Sequence, residues 1–141
     1  GGMAAGERVR ALREQGNEAV RGGGFGRAAE LYTEAIALLV PGEPAVRDEH
    51  ALFGNRSLCH IKLGRYEDGL RDAREAVARE PGFAKGFYRM ALCQKELSDL
   101  AGAWESTAKA VGLAPEDAQV RALEHEIRLL ETVGSSQRGV Y

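Results

Sequence analysis

The chain repeats itself. Slid 34 residues along, "KLGRYEDGLRDAREAVAREP" (62–81) lies over "ELSDLAGAWESTAKAVGLAP" (96–115). Tyr66 then meets Leu100, Gly69 meets Ala103, Ala76 meets Ala110 and Pro81 meets Pro115. Slid the other way the match needs 41 residues, with Tyr66 on Phe25, Gly69 on Ala28 and Ala76 on Ala35. The extra residues fall in "LVPGEPAVRDEH" (39–50), a Pro- and Gly-bearing connection where insertion is well tolerated. Three copies of one unit are present, and a fixed period of this length implies units that stack on their neighbours.

Each unit reads as two helices. "GERVRALREQGNEAVR" (6–21) spaces Val9, Leu12, Ala19 and Val20 for one helical face, and "GGGFG" (22–26) ends it. Glycine tolerates the left-handed conformation that closes a helix. "FGRAAELYTEAIALLV" (25–40) resumes with Phe25, Ala28, Leu31, Tyr32 and Ala35, then Leu38 or Leu39. Ala28, Gly69 and Ala103 mark where two helices approach closely, with Phe25, Tyr66 and Leu100 as wedges. After Pro115, "EDAQVRALEHEIRLLETV" (116–133) carries Val120, Leu123, Ile127 and Leu130 on one stripe, with acidic residues expected in its first turn. This predicts a seventh helix that covers the open apolar face of the last unit. The expected organisation is all-α: a flexible tag remnant over 1–5, units at about 9–40, 50–83 and 84–115, a cap over 116–133, and a flexible tail over 134–141.

Bulk properties narrow the function. Hydrophobic residues make up 44% and charged residues 28%, which is globular composition. Net charge is −2, against the basic excess of a general nucleic-acid binder. No apolar run approaches the roughly 20 residues a membrane span needs. Two cysteines fit a reducing compartment, cytoplasmic or nuclear. Cys59 and Cys93 share one position of the repeat, where small buried residues are expected. His50, His60 and His125 form no pair at metal-ligand spacing, and "GGGFG" lacks the Gly-Lys-Ser/Thr ending of a phosphate loop. Trp104 is expected in the core of the third unit and His60 between helices. No carboxylate dyad or nucleophile–base pair stands out, so neither catalysis nor a cofactor is expected.

The inward face of the first helices is more informative. By repeat register it gathers Arg10, Arg13, Glu14, Asn17, Val20 and Arg21 from the first unit. The second adds Ala51, Gly54, Asn55, Leu58, Ile61 and Lys62, and the third Lys85, Tyr88, Arg89, Leu92, Lys95 and Glu96. Seven of these are basic and two acidic, although the chain as a whole is slightly acidic. A wall of one sign focuses potential toward a ligand of the opposite sign. Arg10, Arg21 and Lys95 read as ordinary solvated surface. Asn17 and Asn55 do not, because Asn is a poor helix former and neither begins a helix. With Arg13, Lys85 and Arg89 they offer fork, amide and ammonium donors from three helices, the set a carboxylate needs. Leu58, Ile61, Lys62, Tyr88 and Leu92 complete the groove.

The period, the Gly/Ala and Tyr/Phe positions and the closing Pro resemble tetratricopeptide (TPR) repeats, an α-solenoid of helix-turn-helix units. The five donors resemble the two-carboxylate clamp of co-chaperone TPR domains. "REQGN" places Arg13 where Lys is usual and Asn17 where Asn is usual; Asn55 matches in "NRS", and Lys85 and Arg89 match in a KxxxR run. The resemblance implies capture of the C-terminal Glu-Glu-Val-Asp of the seventy- and ninety-kilodalton heat-shock chaperones by a monomeric domain. Arg13, Asn17 and Asn55 would hold the main-chain carboxylate, Lys85 and Arg89 the side chain. Leu58 and Ile61 stand where related domains often carry small residues. Two other readings are a scaffold that binds through its convex or capping surface, and a groove for another protein's acidic or C-terminal tail.

Overall fold

A computed structural model describes residues 2–42 and 48–138, with side chains described through residue 134. The described residues form seven helices: α1 (Ala5–Arg21), α2 (Phe25–Ala37), α3 (Glu49–Lys62), α4 (Tyr66–Arg79), α5 (Ala84–Glu96), α6 (Leu100–Leu113) and α7 (Ala118–Arg138). Packing runs in chain order, and in addition α3 meets α5 and α5 meets α7. The first helices α3 and α5 therefore stand side by side, and the hydrogen bond from Asn55 to Asn17 brings α1 to the same wall.

Small residues set the spacing. Ala28, Ala35, Ala73, Ala76, Ala103 and Ala110 are fully buried where the paired helices meet. A methyl added at Gly69 would lie 3.0 Å from Cys93 Sγ and 3.3 Å from Ile61 Cγ1, so α4 approaches α3 and α5 more closely than most side chains allow. One apolar cluster joins Val9, Ala28, Tyr32, Leu52 and Cys59, and a second joins Ala91, Ala103, Leu123 and Ile127. The second takes Leu123 and Ile127 from the α7 stripe, and Val120 is buried as well; Leu130, expected on the same stripe, is 38% exposed, so the buried stripe ends at Ile127. Cys59 and Cys93 are free and buried at their common repeat position.

Helix ends repeat as well. The turn inside each hairpin takes one residue at positive φ: Gly23 at 79°, Gly64 at 74° and Ser98 at 64°. The first two are free of the Cβ penalty in this region, and serine is not. Glu116 and Asp117 precede α7 rather than occupying its first turn; Asp117 Oδ1 accepts from Gln119 N at 2.9 Å and Val120 N at 3.1 Å, capping the helix.

Three expectations need correction. Trp104 is 40% exposed, because the inward face of α6 is filled by Ala103, Ser106, Thr107 and Ala110. One residue of rotation from Ala103 carries the indole outward, where the Arg128 guanidinium lies 5.6 Å from the ring centroid. The tail does not begin at 134: α7 runs to Arg138, since a formed helix extends at one hydrogen bond per added residue without further packing. At the other end helix already starts at Ala5. Residues 1, 43–47 and 139–141, parts of the expected tag remnant, connection and tail, lie outside the described residues.

Candidate functional site

The five candidate donors occupy the shared wall. Arg13 and Asn17 lie one turn apart on α1, Asn55 on α3, and Lys85 and Arg89 one turn apart on α5. Each position follows from the repeat, which puts these residues on the first helix of each unit. Arg13, Asn17, Asn55 and Arg89 are partly buried, and Lys85 is exposed.

Two hydrogen bonds tie α1, α2 and α3 together at this wall. Asn55 Nδ2 donates to Asn17 Oδ1 at 3.3 Å, and Tyr32 Oη donates to the same oxygen at 2.6 Å. Asn17, Tyr32 and Asn55 border a hollow of about 300 Å³, with Val20, Arg21 and Leu58 completing its rim. Arg89 reaches α3 from α5, donating from Nη1 to the carbonyl of Gly54 at 2.9 Å. That approach depends on glycine: a Cβ at Gly54 would sit 3.2 Å from Arg89 Nη1 and 2.7 Å from Phe83 Cε2.

The electrostatics are asymmetric. Among the described residues neither Lys85 nor Arg89 forms an ion pair with a carboxylate. Burial lowers the Arg89 pKa, and the groups that offset this are Cys59, Tyr32 and Tyr88 rather than any Asp or Glu. A partly buried guanidinium without a carboxylate is costly on its own and favours an anion. Burial pushes the Tyr32 phenol up to about 12, with the Arg89 charge opposing that rise. Tyr32 is thus a neutral donor at any physiological pH.

The surrounding groove is mixed. Leu58 and Ile61 are partly buried, and Tyr88 and Leu92 pack against the second apolar cluster. Lys62 is exposed. Lys95 departs from the solvated role expected of it. Its Nζ bonds Glu126 Oε1 at 2.8 Å and lies 3.5 Å from Glu96 Oε1, tying α5 to α7. The positive surplus is therefore smaller at this end of the wall. Asn17 meets Asn55 directly and Arg89 reaches the neighbouring Gly54, whereas Lys85 is exposed.

Tyr32 was not among the sequence candidates, because it belongs to a second helix and reads as core. A signal exists all the same. A buried tyrosine hydroxyl demands a polar partner, and the helix that Tyr32 must pack against carries an unexplained Asn.

No family model matches the chain. Individual relatives do. It is 35% identical over 101 residues to the heat shock protein STI1 of Saccharomyces cerevisiae, covering 72% of this chain and 16% of that protein. It is 35% identical over 108 residues to the Hsp70-Hsp90 organizing protein of Triticum aestivum, covering 77% and 17%. The chain thus spans about one sixth of the length of these relatives. Its fold superposes on the second TPR domain of human RPAP3, solved in complex with the HSP70 peptide SGPTIEEVD, with TM-score 0.78, 23% identity, and coverage of 89% and 98%. Seven helices in three stacked hairpins and a final helix, superposing on that domain, give the chain a tetratricopeptide repeat fold.

Proposed function

We propose that this domain binds the acidic C-terminal peptide, of Glu-Glu-Val-Asp type, of heat-shock chaperones, serving in the cytoplasm as a non-catalytic adaptor. Arg13, Asn17 and Asn55 hold the terminal carboxylate, while Lys85 and Arg89 hold the Asp side chain and neighbouring backbone. The observation that carries this reading is the state of Arg89. Its guanidinium is drawn into the wall between α3 and α5 and directed at a backbone carbonyl, with no carboxylate of the described chain beside it. Support also comes from the relatives, which include an Hsp70-Hsp90 organizing protein, and from the RPAP3 domain, whose fold this chain shares. The exposed Lys85 supplies a point charge, suited to the more mobile side-chain carboxylate.

The test is calorimetry with the peptide SGPTIEEVD as free acid and as C-terminal amide. The free acid is expected to bind with near-micromolar affinity, about −8 kcal/mol, weakening as salt rises. The amide removes one charged acceptor and is expected to lose at least about tenfold. Equal binding of the two forms rules out the clamp.

A further inference from the structure

The clamp reading uses residues of first helices alone, yet the shortest side-chain contact at the site comes from a second helix. Tyr32 Oη donates to Asn17 Oδ1 at 2.6 Å, and Tyr32 is 1% exposed. The same oxygen accepts from Asn55 Nδ2 at 3.3 Å. An amide oxygen has two lone pairs, and both are now engaged by the protein. What Asn17 has left for the hollow is its NH₂ group, which donates only.

We propose that Tyr32 is the positioning residue of the clamp, holding the Asn17 amide with its nitrogen toward the incoming carboxylate. The alternative amide orientation would present a carbonyl oxygen to an anion. Without the phenol, one of the two bonds that exclude this orientation is gone. The ring itself cannot drift, because Gly16 leaves a niche for it: a Cβ there would come within 2.6 Å of Tyr32 Cε1. Gly16, Tyr32 and Asn17 form one device, in which a missing side chain seats a ring and the ring aims an amide. Tyr32 touches no ligand in this scheme; it acts through Asn17.

The inference rests on the clamp reading, and one experiment separates them. Binding of SGPTIEEVD, free acid and amide, is measured for the wild type, Tyr32→Phe, Asn17→Ala and the double variant. Phenylalanine keeps the ring in the Gly16 niche and deletes one hydroxyl. The expected result is a loss of about tenfold for the free acid in Tyr32→Phe, little change for the amide, and no further loss when the same substitution is added to Asn17→Ala. Wild-type affinity in Tyr32→Phe overturns the positioning role, as does a loss that persists undiminished in the Asn17→Ala background. A wild-type chain indifferent to amidation overturns the clamp itself, and the role of Tyr32 with it.

Discussion

Arg56 of α3 holds Asp72 of α4 by two parallel bonds, Nε to Oδ2 and Nη2 to Oδ1, each 2.7 Å. A third donor of the same guanidinium, Nη1, reaches Thr33 Oγ1 on α2 at 3.1 Å, so one side chain spans two hairpins. The two ends are unequally buried, at 20% side-chain exposure for Arg56 and 6% for Asp72. Stranding the carboxylate should therefore cost more than stranding the guanidinium. Arg56→Ala is expected to lose about 4 kcal/mol and Asp72→Ala about 3 kcal/mol, read as shifts in urea midpoint at neutral pH.

His60 makes that difference depend on pH. Its Nε2 lies 3.5 Å from Asp72 Oδ2, and its buried Nδ1 has no hydrogen-bond partner among the described residues. Burial lowers its pKa from the ordinary 6.5, more than Asp72 raises it. A histidine depressed in the folded state stabilises above its unfolded pKa, and that contribution is lost as pH falls below about 6.5. Wild-type stability is expected to decline from pH 7 to 5.5, and His60→Gln to flatten the decline. In Arg56→Ala the orphaned Asp72 favours protonated His60, so part of the lost stability should return over the same interval. Chemical denaturation at several pH values measures both trends.

The turn at Ser98 offers a gain. Its φ of 64° matches Gly23 and Gly64, but serine carries a Cβ into a region that disfavours it. Ser98→Gly is expected to stabilise by about 0.5–1 kcal/mol, the relief of strain outweighing the entropy of the unfolded glycine. Gly64→Ala should destabilise by a similar amount. Thermal melts of both variants settle the matter.

At the clamp, Arg89→Ala is expected to weaken peptide binding most, by about 2–3 kcal/mol, as a charged hydrogen-bonding partner is lost. Lys85→Ala is expected to lose about 1 kcal/mol less, its exposed ammonium being better screened. Gly54→Ala should mimic Arg89→Ala in direction, because its methyl displaces either Phe83 or the guanidinium. Titration of the peptide into each variant ranks them, and a Gly54→Ala chain that binds like wild type would remove the steric argument.

The thiols should be silent. Burial raises Cys59 to about 11 and Cys93 to about 12, so both stay protonated and unreactive near neutral pH. Labelling with a thiol reagent is expected to be slow in the native chain and rapid in denaturant.

Much of this architecture was legible because the repeat imposes it. Matching Tyr66 to Phe25 and Leu100 locates the second helices, and matching Gly69 to Ala28 and Ala103 locates their close approach, before any coordinate is known. The candidate donors followed from the same register. What escaped was whatever one helix does to another. Tyr32 reads as a core ring, and only the meeting of α2 with α1 reveals that its hydroxyl bonds the Asn17 amide. Lys95 reads as surface until α7 brings Glu126 to it. Trp104 misled because size suggested burial, while Ala103 beside it had already claimed the inward face. The continuation of α7 to Arg138 escaped because propagation needs no apolar signal.

The seating of Arg89 has a thermodynamic price that falls on the empty domain. On the clamp reading, a cation held beside Gly54 with no carboxylate of the described residues beside it lowers the stability of the empty domain, and a bound anion would offset this. Occupancy and resistance to unfolding therefore rise together. Replacing Arg89 with methionine should give a chain that melts at a higher temperature and no longer responds to its ligand.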